Sequence, residues 1–299
     1  MIPTLALQTD LLSSIKTLLM DTSNDRWSDA NIYAAMNLGL SQWQGRVFVP
    51  YVYTISGGWV AGTHEYDLPD FIDGPITPQQ KHYINDWYRF TGVSDNALTW
   101  TDVLEHTVEA TATGGQRLRF SYQPYEDEGR VLWWGHPGPC PTALPVTSAS
   151  IDTDDTSVTL TTKPVIGRSG YIKLDAEWMQ YAGVTEAATT LTLTNLVRGV
   201  LGTPAASHSP ASSVTWGIAM DDNGLQRQLI DQTRAHLMEM WLSNPSSREV
   251  AHYEKQMVFY QQRADTFWRR YVSSRPTRFR LSRMALGDVH RPWWEGNIR

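Results

Sequence analysis

The chain of 299 residues is long enough for one large domain or two smaller ones, and its 41% apolar and 19% charged residues are typical of a folded protein. The net charge of −6 argues against a general nucleic-acid coat, and the single cysteine, Cys140, excludes an internal disulfide framework and a four-cysteine zinc site. Tryptophan and tyrosine, 13 of each, outnumber the 7 phenylalanines, as is typical of interfaces where a ring is apolar on one side and reaches water at its tip.

The first 45 residues predict two helices. Apolar residues at spacings of three and four mark one face of a helix over 9–21, and Ser28 is the predicted N-cap of a second helix over 29–45. Because the polar link between them is short, we expect the two amphipathic helices to form an αα-hairpin.

From Val47 onward, apolar residues recur at every second position, which indicates β-strands. Glycine, proline and aspartate separate five strand-like runs, at 47–55, 64–68, 87–90, 118–122 and 131–134. The next segment, 135–141, contains too much proline and glycine for either regular structure, and this composition favours a linker or a domain boundary.

Residues 146–216 differ in composition from the rest of the chain, since they are rich in threonine, serine, alanine and valine and poor in charge. They predict the strands of a small β-barrel or sandwich, at 157–161, 170–174, 178–182 and 190–194. With roughly 70 residues, this segment has the size of an independent module inserted into a host domain.

Two further helices are predicted after this module. The first covers 223–243, and the second carries large apolar residues at alternating spacings of three and four, which is a heptad seam. The seam consists of Val250, Tyr253, Met257, Tyr260, Ala264, Phe267 and Tyr271. We therefore expect the last helix to pack lengthwise in a bundle, and its periodicity stops near Ser273.

The charge is distributed unevenly along the chain. Residues 263–299 contain nine arginines and three acidic residues, a net charge of +6, whereas the preceding 262 residues carry −12. Arginine and tryptophan dominate interface hot spots, so we predict that the tail becomes ordered by docking on a partner rather than fraying as a basic terminus. Nucleic acid is an alternative partner for arginines next to aromatic rings. The predicted docking residues are Arg275, Arg278, Phe279, Arg280, Arg283, Met284, Arg291, Trp293, Trp294 and Arg299.

Motifs for catalysis or cofactor binding were not found. The sequence has no phosphate-binding loop, no His-Glu-x-x-His pair and no Gly-x-Ser-x-Gly elbow, and the eight histidines are scattered without metal-ligand spacing. Asp152, Asp154 and Asp155 resemble part of a calcium loop, but its glycine and closing glutamate are missing, which favours a solvated β-turn. Cys140 lacks the signature of a nucleophile, so we expect a buried or idle thiol and no enzyme, metal or cofactor.

The sequence also gives no sign of a membrane segment. Its N-terminus has no basic region of a secretory signal, and no stretch of 18 apolar residues is present. We therefore expect a protein that is made in the cytoplasm and used or assembled there, without a membrane.

Two sets of residues carry a resemblance to known proteins. The first set is 25–30 (DRWSDA), 35–40 (AMNLGL) and Trp43, and the second is 170–174, 181–184, 196–203 and 206–208. The first set, together with the order of the parts, resembles the head-to-tail adaptor (connector) proteins of tailed bacteriophages. The second set is similar to a β-module that recurs in phage virion proteins.

The resemblance implies a structural virion protein of the phage neck, at the head–tail junction. Such adaptors form a homo-oligomeric ring, usually a dodecamer, below the portal protein and attach the tail or nozzle. They extend the channel through which viral DNA passes without sequence-specific binding. Their extended C-terminal segment typically docks on the portal, and residues 275–299 match that segment. The acidic remainder suits a channel lining that does not hold passing DNA.

The implied organisation is an α+β fold in four parts. Residues 1–145 contribute the N-terminal helical hairpin and β segment of the adaptor core, and residues 217–272 contribute its C-terminal helices. Residues 146–216 form the inserted module, which projects outward, and 273–299 form the docking tail. The competing interpretation is a glycan-binding or glycan-cleaving tail or baseplate protein, because exposed tryptophan rings stack on sugars.

Overall fold

The structure, a computed structural model, describes residues 4–72, 76–82, 99–102, 106–111, 116–121, 129–220, 223–243 and 250–274. Within these ranges the protein consists of four α-helices and several small antiparallel sheets. The α+β class predicted from the sequence is therefore confirmed. None of the sheets in these ranges closes into a barrel.

The helices lie within a few residues of the predicted ones. They are α1 (Gln8–Leu19), α2 (Asp29–Ser41), α3 (Asn223–Leu242) and α4 (Val250–Ser274). The helix α3 packs against each of the other three. The predicted cap of α2 is confirmed, because the Ser28 hydroxyl accepts a hydrogen bond from the Asn31 amide. The segment between α1 and α2 is held in place by the buried side chain of Asp21. Its carboxylate accepts hydrogen bonds from three successive backbone amides, those of residues 25–27.

The heptad seam of α4 faces the bundle. Its tyrosines 253, 260 and 271 and Ala264 are buried, as is Trp268. Two edge-to-face tryptophan pairs link the two ends of α2 to α3 and α4. The ring centroids are 5.5 Å apart for Trp27 and Trp241 and 6.4 Å apart for Trp43 and Trp268. The predicted lengthwise packing of α4 is confirmed.

Two sheets lie between α2 and residue 135. The first has the strand order β2-β8-β4-β5, with β2 (Val49–Thr54), β4 (Ile76–His82), β5 (Thr99–Asp102) and β8 (Arg130–Gly135). The second has the order β3-β7-β6, with β3 (Glu65–Leu68), β6 (His106–Ala110) and β7 (Gln116–Phe120). Alternate residues such as Tyr51, Trp133, Leu118 and Phe120 are buried, as the spacing of two predicts. The strand predicted over 87–90 lies outside the described residues.

Two further sheets are built from the region after residue 157 together with an N-terminal strand. One has the order β12-β13-β9, with β9 (Val158–Leu160), β12 (Val184–Glu186) and β13 (Leu191–Leu193). The other has the order β1-β14-β10-β11, with β1 (Thr4–Leu7), β10 (Ser169–Leu174), β11 (Glu177–Ala182) and β14 (Val214–Met220). The N-terminal strand β1 thus pairs with β14, just before α3, although they are more than 200 residues apart. We call β9–β14 with their connections the β-module.

The proline- and glycine-rich segment that begins at residue 135 has no regular structure after β8 but is closely packed. Asn37 of α2 donates to the Cys140 carbonyl at 2.9 Å and accepts from the Cys140 amide at 3.0 Å. Gly138 lies against Gly167 of the β-module, where an added Cβ would come within 2.6 Å of the Gly167 Cα. The segment therefore holds α2 and the β-module together.

Candidate functional site

The tail residues that the sequence predicts as the docking site lie outside the described residues. They are Arg275, Arg278, Phe279, Arg280, Arg283, Met284, Arg291, Trp293, Trp294 and Arg299. Their role stays a prediction.

The aspartates and the cysteine that the sequence analysis weighed for metal binding or nucleophilic chemistry take part in turns and in the core. Within the described ranges, no group of three histidine, cysteine, aspartate or glutamate side chains could hold a metal ion. Asp152 and Asp155 form a turn at the surface, in which the Asp155 carboxylate accepts from the Asp152 amide at 2.8 Å. Burial raises the pKa of the Cys140 thiol to about 12, so this sulfur is a poor nucleophile. Among the same residues, no helix is long and apolar enough to cross a membrane.

An ion-pair cluster in the β-module surrounds the buried carboxylate of Glu177. Glu177 begins β11 and is 1% exposed, and Arg198 follows β13 in sequence and is 8% exposed. The Arg198 Nε and Nη2 atoms donate to the two carboxylate oxygens of Glu177 at 2.8 and 2.9 Å. His208 contacts the Glu177 oxygen Oε2 that Arg198 Nη2 also contacts, and its other ring nitrogen contacts Asp175. We call these four side chains the clasp.

The clasp fixes the course of the loop from residue 199 to residue 206. The backbone amides of Gly199 and Ala206 both donate to Glu177 at 3.0 Å, and Arg198 Nη2 donates to the Ala206 carbonyl at 2.7 Å. Gly199 has a φ of +61° and a Cβ there would lie 2.7 Å from the Thr203 carbonyl oxygen, so the turn requires glycine. A single carboxylate thus holds both ends of the loop.

The same contacts keep Glu177 ionised. Burial alone would raise its pKa, but hydrogen bonds from Arg198, His208 and the two backbone amides outweigh burial and lower the pKa to about 2. The sequence patterns at 196–203 and 206–208 include Arg198 and His208, but the sequence did not predict Glu177 or Asp175 as part of a site. The signal in the sequence that could have identified them is an acidic residue inside a segment with few charges.

Three side chains of the β-module bind the outer edge of β2. The amide group of Gln180 accepts from Val52 N at 3.0 Å and donates to Val52 O at 2.7 Å. The amide group of Asn195 makes the same pair of hydrogen bonds with Thr54, at 2.8 and 2.6 Å. Tyr171 donates to the Pro50 carbonyl at 2.7 Å and stacks on Tyr51.

These contacts occupy every second residue of β2, on the side away from β8. Side-chain amides thereby satisfy backbone groups that a neighbouring strand would otherwise satisfy, and they fix the position of the β-module on the first sheet. The sequence places this module as an insertion but does not reveal how it is attached.

The outward face of α4 exposes two adjacent apolar side chains. Phe259 is 52% exposed and Val258 is 45% exposed, on a face whose neighbours include Glu254 and Gln262. The Arg263 guanidinium lies over the Phe259 ring at 5.5 Å and pairs with Asp231 of α3. An aromatic anchor with a polar rim is the composition of a protein-binding patch.

Comparison with known proteins gives no further guidance, because no protein-family model, curated protein or solved structure matches the chain.

Proposed function

We propose that the protein is a structural subunit of a bacteriophage neck, a head-to-tail adaptor that forms a ring below the portal protein. The observation that carries the proposal is the order and packing of its parts. A helical hairpin, antiparallel sheets, a β-module and two closing helices follow one another, and α3 contacts all the other helices. In this order the parts resemble those of the adaptor family.

The outward face of α4 supports a contact between subunits. A ring of identical subunits needs two complementary patches on each copy. The opposite face of α4 is buried on the bundle, which leaves Val258 and Phe259 exposed for a neighbour. The exposed patch on α4 is therefore one of the two surfaces in our proposal.

Charge supports the division between body and tail. Residues 1–274 carry a net charge of −10 and repel DNA phosphates, whereas residues 275–299 carry +4 together with the adjacent Trp293 and Trp294. In the proposal, the acidic body surrounds passing DNA, and residues 275–299 dock on the portal.

The glycan-binding alternative receives less support. Of the tryptophans whose side chains the structure describes, six are buried and three are half-buried. Sugar stacking requires a ring face open to solvent, and the six buried rings belong to the core and do not provide one.

The experiment combines negative-stain electron microscopy with co-sedimentation on the portal protein of the same phage. The full chain should form rings on the portal, and a chain ending at Ser274 should bind it at least about tenfold more weakly. A matched variant, Val258→Ser with Phe259→Ser, keeps the tail but should lose the ring. Failure of the full chain to bind the portal, or its binding to host polysaccharide instead, would overturn the proposal.

A further inference from the structure

A small cavity lies where the β-module meets β2 and the proline- and glycine-rich segment after β8. Its volume is about 10 Å³, and its wall includes four polar side chains, those of Tyr51, Ser169, Tyr181 and Trp216. Each of these side chains belongs to a residue that is at most 6% exposed. A polar cavity of about this volume has room for one water molecule, which needs about two to four polar partners.

Three parts of the chain converge on this cavity. Tyr51 belongs to β2 of the first sheet, whereas Ser169 belongs to β10 and Tyr181 to β11 of the β-module. Residues 137–140 of the proline- and glycine-rich segment complete the wall. A molecule bound in the cavity therefore contacts the first sheet, the β-module and the segment that joins them.

The two tyrosine hydroxyls have hydrogen-bonding capacity left. Tyr181 donates to the Gly167 carbonyl at 3.1 Å and accepts from the Trp216 indole at 3.3 Å, which leaves one lone pair on its oxygen. Tyr51 reaches the His136 carbonyl only at 3.4 Å, longer than the roughly 2.7–2.8 Å that is usual for a hydroxyl donor. Burial raises the pKa of both phenols, so both keep their protons at neutral pH.

The Ser169 hydroxyl supplies the third polar group. It lies beside the Tyr51 hydroxyl, and it carries one proton and two lone pairs. We propose that one water molecule is bound in this cavity, where it donates to the hydroxyl oxygens of Tyr51 and Tyr181 and accepts from the hydroxyl of Ser169. About three hydrogen bonds are the usual number for a buried water molecule.

The alternative is a dry cavity in which Ser169 and Tyr51 bond to each other directly. That arrangement leaves the remaining lone pair of Tyr181 without a donor, at a residue that is 1% exposed, and leaves a space between polar side chains. The bound water gives all three hydroxyls a partner, so the lining of the cavity favours it.

The water molecule is then a further bridge between the first sheet and the β-module, in addition to the side-chain amides of Gln180 and Asn195 on β2. This inference concerns the attachment of the β-module and does not depend on the proposed function.

A high-resolution crystal structure of the full chain tests the inference. It should show one ordered water oxygen at about 2.6–3.2 Å from the hydroxyl oxygens of Tyr51, Ser169 and Tyr181. A cavity without electron density, or a direct hydrogen bond between Ser169 and Tyr51 in its place, would overturn the inference.

Oxygen-17 relaxation dispersion, which counts long-lived internal water molecules, provides a test in solution. Ser169→Val removes the donor and fills the cavity with methyl groups, so the count should fall by one water molecule relative to the wild type. The matched change Ser148→Val at the surface should leave the count unchanged. An equal count in Ser169→Val and the wild type contradicts the inference.

Because Ser169→Val risks misfolding, Tyr51→Phe provides a second variant. It removes one acceptor of the water molecule and should shorten the residence time of that molecule, whereas Tyr53→Phe on the same strand should not. An unchanged residence time in Tyr51→Phe also counts against the inference.

Discussion

Glu177 joins more parts of the β-module than any other side chain described above. Its carboxylate accepts from Arg198, His208 and the amides of Gly199 and Ala206, while it is 1% exposed. A buried ion pair is not in itself stabilising, but removal of one partner leaves an uncompensated charge. The clasp therefore determines whether the loop from 199 to 206 keeps its course.

The first prediction concerns this carboxylate. Glu177→Gln should destabilise the protein by about 3–5 kcal/mol, because it leaves the Arg198 guanidinium buried without its counter-charge. Urea unfolding followed by circular dichroism measures the loss. The matched change Glu186→Gln removes a carboxylate that pairs with Lys163 at the surface of the same module, and it should cost at most about 1 kcal/mol. Equal losses in the two variants would contradict this account.

The second prediction concerns the loss of stability at acidic pH. The pKa of Glu177 is about 2 in the folded protein, whereas an unfolded glutamate has a pKa of about 4.3. The ionised group therefore stabilises the fold above about pH 4.3, and this contribution is lost as pH falls towards 2. The difference in melting temperature between wild type and Glu177→Gln should narrow over that interval. A difference that stays constant down to pH 2 would show that Glu177 does not titrate in this way.

At the level of single residues, the sequence predicted Ser28 as a cap because an N-cap acts on amides three positions away. It did not predict Glu177 as the partner of Arg198 and His208, which lie 21 and 31 residues further along the chain. Contacts of that range depend on how β11 and the later loop are folded together, and spacing in one sequence does not encode them.

Among the elements, β2 is an edge strand without a neighbouring strand on its outer side in the described sheets. Gln180 and Asn195 replace that neighbour with side-chain amides. Each amide supplies one donor and one acceptor, which is what a strand residue would supply. This coverage removes an edge on which other chains could pair.

The third prediction tests this coverage. Gln180→Glu and Asn195→Asp each replace the donor nitrogen with oxygen, so the carbonyls of Val52 and Thr54 face a carboxylate. Aspartate tolerates the left-handed backbone of residue 195, where φ is +54°, so backbone strain does not confound the result. Each variant should lose about 1–3 kcal/mol, while Gln262→Glu on the exposed face of α4 should be near neutral.

Hydrogen exchange shows where that loss occurs. In the two variants, the amides of Val52 and Thr54 should exchange faster, whereas those of Tyr51 and Tyr53, which face β8, should not. Uniform acceleration along β2 would instead indicate that the whole sheet has been loosened.

For the whole molecule, several contacts integrate the β-module with the rest of the chain. The strand β1 pairs with β14 of the module. The side chains of Tyr171, Gln180 and Asn195 bind β2. Gly138 packs on Gly167. The size of the segment indicated an independent module, but these contacts make its stability depend on residues outside it.

The fourth prediction follows from this integration. A fragment of residues 146–220 should be less stable than the same region in the full chain, because it lacks β1 and the partners of Tyr171, Gln180 and Asn195. Urea midpoints from tryptophan fluorescence measure the difference, and attaching residues 4–7 through a flexible linker should recover part of it. A fragment with the midpoint of the full chain would contradict the prediction.

By itself, the sequence determined the helices, most of the described strands, the α+β class and the segregation of charge. Those features follow from spacing and composition, which act within one or two turns or along one strand. Only the tertiary structure decided that β1 completes the sheet of the β-module, that side-chain amides cover β2, and that Glu177 and Arg198 pair beneath the surface. These features join residues that are distant along the chain, and burial of polar groups becomes favourable only when the whole fold brings their partners within hydrogen-bond distance.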